Sequence, residues 1–276
     1  MILEKTLEFI EQNYKSQGIE PPIISKVVIG LGYTGVEIFT KDNDSFLGLA
    51  ATIPSITKNT DCSKIEFAGN LTDINLFDLL KWSLESPSIR KIVGLATLNA
   101  CSQHLIGIKN NYKKIEGDIL KHLDIDKDTK ITVVGLMKPL VRNLGKTTKS
   151  ILLVEDSLSI TPEFKEYKFR KTIEELKKED FSTDILFCTG TVLINDTIEK
   201  ILRLFKEKAR NIVLLGPSAS LIPDVLFENG VNIVGGMEIL DSEATLRVLQ
   251  EGGGTKLFKQ YGKKYNLIKE YPNIEL

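Results

Sequence analysis

Apolar side chains recur at helical spacing from the first residues: Leu3, Leu7, Ile10 and Tyr14 share one stripe, with Glu4, Lys5, Glu8 and Glu11 between them. That pattern predicts an amphipathic helix, and the glycine and paired prolines of SQGIEPP end it. The period then shortens. KVVIGLGYTGVEIFT and SFLGLAATI, parted by the polar KDND, predict two or three antiparallel strands around a glycine-rich bend. From Asn70 the helical period returns through Leu71, Ile74, Phe77, Leu80 and Trp82 to Leu84. SPSIRKIVGLATLNACSQHL predicts another helix, with Ser86 as N-cap and Pro87 in the first helical position. Strands followed by helices make residues 1–108 an N-terminal α+β domain.

The polar stretch Gly107 to Asp118, GIKNNYKKIEGD, reads as a linker opening the next domain, residues 109–276. Beyond it KITVVGLMKP, SILLVED, DILFCTGT, NIVLLGPSAS and VNIVGGME are near-continuous apolar runs that end in small or polar residues, with helical segments between most of them. Such runs are what a parallel sheet covered on both faces requires, so the second half is expected to be a doubly wound α/β domain.

Composition narrows the function. The 276 residues carry 36 basic and 37 acidic side chains, and no Lys/Arg stripe is interleaved with aromatics, so no nucleic-acid partner is expected. Charges interrupt the N-terminal segment and no apolar run is long enough to span a bilayer, so the expectation is a cytoplasmic protein without a membrane partner. Cys62, Cys101 and Cys188 lack C-x-x-C spacing and are expected to be buried, reduced thiols.

Three motifs resemble known sites and fail on context. Gly30, Gly32 and Gly35 spell G-x-G-x-x-G, yet the alternating VEIFT follows where a dinucleotide turn needs a helix N-terminus, so a structural bend is expected. Gly145, Lys146 and Thr147 match the end of a P-loop, but Leu140 stands where its first glycine belongs and a strand follows. Cys101 and His104 lie three apart on a helix, and two ligands do not make a metal site; the only other histidine is His122.

The better candidate is the set of loops after the parallel strands, since ligands of open α/β sheets bind beyond the carboxyl ends of the strands. Gly135 closes the first strand, and Glu155 ends the next at the separation where an acidic residue would meet a ribose hydroxyl; the turn itself lacks the further glycines. Thr189, Gly190 and Thr191, then Gly216, Pro217, Ser218 and Ser220, offer hydroxyls and main-chain N–H groups where strands pass into helices. The same residues serve equally as helix caps and turns. Asn99 would reach in from the first domain, or would be a helix-packing amide. If φ at Gly190 is negative, Gly190→Val is expected to block the crevice with little loss of fold.

LFCTGTVLINDTIEKIL joined to IVLLGPSASLIPDVLFENGVNIVGGMEILD resembles the second domain of the putative heavy-metal chelation proteins, a domain-of-unknown-function family. GLGYTGVEI and GLATLNACS resemble its companion N-terminal domain. The resemblance implies an enolase-N-terminal-like domain followed by a Rossmann-like domain, and binding of a metal or of a metal-bearing or anionic small molecule, with no established reaction. Two histidines and three dispersed cysteines are poor material for chelating a soft ion. Oxygen donors such as Glu37, Asp73, Glu155 or Asp196 would have to contribute, and their spacing makes no set.

Three readings follow: a small-molecule binding protein or enzyme holding an anionic or metal-bearing ligand between the domains, a metal-handling protein without catalysis, and a non-catalytic subunit that binds a partner through its surface. No acid–base pair at recognisable spacing and no G-x-S-x-G elbow appears, so no reaction and no cofactor is assigned. Assembly as a homo-oligomer stays open.

Overall fold

The computed structural model describes residues 1–57, 65–109, 111–156 and 162–269. The chain opens with helix α1 (Ile2–Ser16), whose predicted stripe is buried at Leu3, Leu7, Ile10 and Tyr14. Strands β1 (Ile23–Ile29), β2 (Tyr33–Phe39) and β3 (Ser45–Ala51) form the predicted antiparallel meander in the order β1-β2-β3. The short α2 (Pro54–Thr57), α3 (Leu76–Lys81) and the long α4 (Ile89–Lys109) follow.

The second sheet has eight strands in the order β4-β11-β10-β9-β8-β5-β6-β7. These are β4 (Lys113–Glu116), β5 (Ile131–Val134), β6 (Ile151–Val154), β7 (Lys168–Arg170), β8 (Ile185–Thr189), β9 (Asn211–Leu215), β10 (Ile233–Ile239) and β11 (Gly262–Ile268). Strands β5 to β10 pair in parallel, whereas β11 runs antiparallel to both β10 and β4. Its helices are α5 (Lys138–Leu144), α6 (Thr191–Ile194), α7 (Ile198–Phe205), α8 (Asp224–Glu228), α9 (Ser242–Gln250) and α10 (Thr255–Phe258).

Alternation along the central strands sends side chains to two separate cores. Ile185, Phe187, Ile131 and Val133 pack with Val141 and Leu144 of α5 on one face. Leu186, Cys188, Ile212 and Leu214 face the other way, into a cluster that continues through α6, α7 and α8 to α4, α1 and the first sheet. The doubly wound expectation therefore holds, with both faces of the sheet covered. The first sheet is itself covered twice. Val36, Ile38 and Ala50 face α4, while Leu47 and Leu49 pack with Leu246 and Leu249 of α9. Because α4 meets the first sheet, α1, the turn after β9 and α6, it is buried on almost every side from Ile89 to Leu105.

Several local expectations change. Leu71 to Leu84 is not one helix: a 3-10 turn (Leu71–Asp73) stops at extended backbone at Ile74 and Asn75, the Asn75 side chain accepts from Phe77 N to start α3, and a second 3-10 turn (Trp82–Leu84) follows. The cap of α4 is Ser88, whose Oγ accepts from Lys91 N at 3.1 Å; Ser86 and Pro87 lie in the bend before it. The expected linker contains β4, a polar edge strand on β11.

Gly48 marks the closest approach of the two layers. A Cβ built there would lie 2.0 Å from the Ala96 carbonyl oxygen and 2.3 Å from the Ala100 nitrogen. Both are backbone atoms of the buried helix, so the clash cannot be relieved by turning a side chain. Gly48→Ala is expected to cost about 3 kcal/mol, read as a lower urea midpoint with an unchanged slope. Gly107 lies on the same helix with open space where its Cβ would be, so Gly107→Ala is the matched control and should stabilise by about 0.5–1 kcal/mol.

Candidate functional site

Strands β6, β5, β8 and β9 are neighbours, and their carboxyl ends bring most of the predicted residues to one rim. Gly135 leaves β5 with φ +85°, and Thr189 Cγ2 sits where a Gly135 side chain would be. The Glu155 carboxylate, at the end of β6, reaches across to the same turn and accepts from Leu136 N at 2.6 Å. Gly135, Glu155 and Thr189 thus form one group. Thr191 begins α6 and is half-buried.

A second group joins the two sheets. After β9, Gly216 turns with φ +115° into a 3-10 segment (Pro217–Ala219) that docks on the first layer. Ser218 Oγ accepts from Ala51 N at 2.9 Å. The Asn99 amide nitrogen donates to the Leu49 carbonyl at 2.8 Å and to the Ser218 carbonyl at 3.2 Å. Asn99 is fully buried, and its Oδ1 accepts no hydrogen bond. The nitrogen makes it a packing amide, and among the described residues no donor reaches its oxygen. An acceptor in that state costs stability unless a donor reaches it.

Gly190 behaves differently from expectation. Its φ is negative, −59°, yet a Cβ would lie 2.6 Å from Ala219 N and 2.7 Å from Ser218 C. The residue is a spacer between β8 and the docked turn. Gly190→Val should therefore disturb the fold, and the Gly190 N–H is already engaged, donating to the Leu215 carbonyl at 2.9 Å. The helices after these loops are also short, α6 spanning Thr191–Ile194 and α8 Asp224–Glu228, so the dipole support expected of them is small.

Sequence reasoning missed Gln103, one turn beyond Asn99 on α4. Its amide nitrogen donates to the Ser220 carbonyl at 2.9 Å and to the Tyr265 hydroxyl at 2.6 Å. Ser220 Oγ in turn accepts from Met237 N and donates to the Pro217 carbonyl. The signal was available: Asn99 and Gln103, four apart, place two amides on one face of an otherwise apolar helix. Lys91 was missed as well. It is 2% exposed, and its ammonium holds Asp196 Oδ1 at 2.5 Å and the Glu85 carbonyl at 2.9 Å.

The decoy motifs resolve as structure. Gly30 to Gly35 turns β1 into β2, and a Cβ on Gly30 would lie 2.4 Å from the Leu249 carbonyl oxygen, so α9 fills the space a pyrophosphate would need. Lys146 bonds Asn143 Oδ1 in the turn between α5 and β6. The potential metal ligands do not converge. Glu37 is held by Ser25 and Ser45, Asp196 by Lys91, and Glu155 meets Leu136 N, while Asp73 and His122 are exposed elsewhere. Cys62 lies outside the described residues. Burial pushes the Cys101 thiol up to about 12 and raises that of Cys188 further, which disfavours the thiolate a soft metal requires. Among the described residues no three of His, Cys, Asp and Glu are grouped to hold a metal ion, so the side chains described do not fit a bare heavy metal.

His104 is a core histidine, its Nδ1 3.0 Å from the Tyr14 hydroxyl and its ring tilted against that of Phe46. Burial lowers its pKa, against a weaker opposite pull from Asp44. A histidine whose folded value lies below the unfolded value of about 6.5 binds fewer protons when folded, so its stabilising contribution is complete above that value and is lost as pH falls. Urea midpoints measured between about pH 7.5 and 5.5 should fall with pH, and His104→Gln should flatten that slope. An unchanged slope in the variant would place the titration elsewhere.

Comparison with known proteins supplies the family. The sequence profile of DUF364, described as putative heavy-metal chelation, matches residues 118–268, and that of DUF4213, with the same description, matches 12–102. An uncharacterized protein of Methanocaldococcus jannaschii is 28% identical over 207 residues, covering 72% of this chain and 75% of the relative. A DUF364 protein of unknown function from Pyrococcus horikoshii superposes with a TM-score of 0.75 at 22% identity, over 98% of this chain and all of that one. One from Desulfitobacterium hafniense gives 0.69 at 19% identity, over 95% of this chain and 99% of the other. The two solved structures share the fold, and the profile match over more than half of the sequence shows that this chain belongs to the DUF364 family of putative heavy-metal chelation proteins.

Proposed function

We propose that the protein binds a small anionic or metal-bearing molecule at the carboxyl ends of β5, β6, β8 and β9, beside the seam with the first sheet. The carrying observation is Gly216: φ there is +115°, and apart from its chain neighbours no atom of the described residues lies within 4 Å of where a side chain would stand. A ligand approaching there meets backbone, with half-buried Thr189, Thr191 and Pro217 nearby in the chain. Hydroxyl or amine groups of the ligand suit the Glu155 carboxylate, and its anionic part suits the threonine hydroxyls. A second element of the reading is that any metal arrives already ligated, since the chain offers no converging donor set among the described residues.

Native mass spectrometry of protein prepared without added ligand should show a small-molecule adduct. Thr189→Val with Thr191→Val keeps volume and removes both hydroxyls, and is expected to weaken that adduct about tenfold or more, as loss of a hydrogen bond to a charged group implies. Retention of the adduct in the double variant would sink the placement. Equilibrium dialysis with cadmium ion alone should show no stoichiometric uptake; uptake abolished by Cys101→Ala with Cys188→Ala would instead establish chelation by the side chains of the chain itself.

A further inference from the structure

Beyond Gln103 the two layers separate and leave a cavity of about 150 Å³, lined by Phe46, Ile106, Tyr112 and Leu267 and by the ring of Tyr265. Its lining also includes Gln103 and the ion pair of Lys114 Nζ with Glu238 Oε2 at 3.3 Å. We propose that this cavity binds a free aliphatic α-amino acid of about the size of leucine, with the apolar side chain against the aliphatic and aromatic walls and the zwitterion against the polar side chains of the lining. The site is separate from the rim described above and does not depend on that reading.

Size sets the first limit. A cavity of about 150 Å³ is the volume that accommodates benzene, whereas drug-sized and nucleotide ligands need about 300–1,000 Å³. The walls are aliphatic and aromatic, so the enclosed part of the ligand is apolar. The polar side chains of the lining set the second limit. Gln103 is 92% buried, being 8% exposed. Its nitrogen is bonded to Ser220 and Tyr265, and among the described residues no donor reaches its Oε1. Burial holds the Tyr265 phenol up at about 12, so it stays protonated and cannot supply a charge. The site thus offers two acceptors, the Gln103 oxygen and the Glu238 carboxylate, and one cation, Lys114, which lies 5.2 Å from the centre of the Tyr265 ring. An ammonium takes the acceptors and a carboxylate takes the lysine.

Lys114 and Glu238 are 38% and 45% exposed, so parting them to admit the ligand forfeits little. Two new pairs replace one, and the local net charge is unchanged. A metal ion is a poor fit, because the lining offers one carboxylate and a competing lysine. A simple carboxylic acid leaves Glu238 and the Gln103 oxygen without a donor, and a simple amine leaves Lys114 unpaired.

Equilibrium dialysis of the full chain with radiolabelled L-leucine tests this directly. The expected result is saturable, one-to-one binding, competed by isoleucine and methionine. Glycine, 4-methylpentanoate and 3-methylbutylamine should each compete about tenfold more weakly or worse, the loss expected when a charged hydrogen bond or the apolar payload is removed. Glu238→Gln and Lys114→Gln alter exposed side chains and should each weaken leucine about tenfold. Gly107→Trp, at the exposed rim of the cavity, should obstruct it while leaving thermal unfolding near that of the parent. Absence of saturable binding by any of these compounds overturns the proposal. So does 4-methylpentanoate binding as well as leucine, which would make the site a carboxylate pocket, or leucine binding unmoved by all three variants, which would put the amino acid elsewhere.

Discussion

The approach of β3 to α4 constrains everything else. An α-helix that is apolar on all sides must be enclosed, and α4 is enclosed by the first sheet on one side and by the turn after β9 and α6 on the other. Gly48 lets the sheet backbone come down onto Ala96 and Ala100, so the contact is made by main chain and methyl groups instead of long side chains. Such a contact is rigid, because interiors pack densely and backbone atoms have nowhere to turn. Its result is one continuous apolar cluster from α1 through the first sheet and α4 to one face of the second sheet.

That rigidity is what makes the polar residues of α4 informative. A buried helix can carry an amide only where a partner waits for it, and Asn99 and Gln103 find theirs in successive parts of one segment, the carbonyls of Ser218 and Ser220. The segment from Pro217 to Ser220 is thereby fixed between the layers, with Ala51 N on one side and Met237 N on the other. Each amide spends its nitrogen on this docking and keeps its oxygen. The two free oxygens lie one helical turn apart, so the seam that joins the layers is also where the chain retains acceptor capacity.

Reading the sequence succeeds where one period governs a segment. The stripe of α1, the alternation of the meander and the apolar runs of β5, β6, β8, β9 and β10 each repeat long enough to outvote local exceptions. It fails where a single polar residue outranks the period. Asn75 turns the backbone out of the helix between Leu71 and Leu84, and Ser88, closer to the apolar run than Ser86, takes the cap. The polar stretch around Lys113 looked like a linker because an edge strand exposes most of its residues, and its partner β11 is about 150 residues away. At the rim, Gly135, Glu155 and Thr189 were legible from their positions at strand ends. Gly190 was misjudged, because its crowding comes from Ser218 and Ala219, and no rule of local backbone geometry reports a neighbour from another strand.

The family's description as heavy-metal chelation meets a chain whose buried donors, among the described residues, are already occupied. Chelation of a soft ion needs thiolates or neutral imidazoles that converge, and the cost of binding rises when each must first be freed from another role. Burial here favours the protonated thiols at Cys101 and Cys188, His104 shares its Nδ1 with Tyr14, and the Glu37 carboxylate is held by two serines on neighbouring strands. What the described residues hold in reserve is of another kind: amide oxygens at the seam, an ion pair in the lining of a cavity and open backbone at Gly216. Groups of that kind suit organic functional groups, which are met by hydrogen bonding and shape. That is the physical basis of the proposal that a metal reaching this protein arrives with the molecule that carries it.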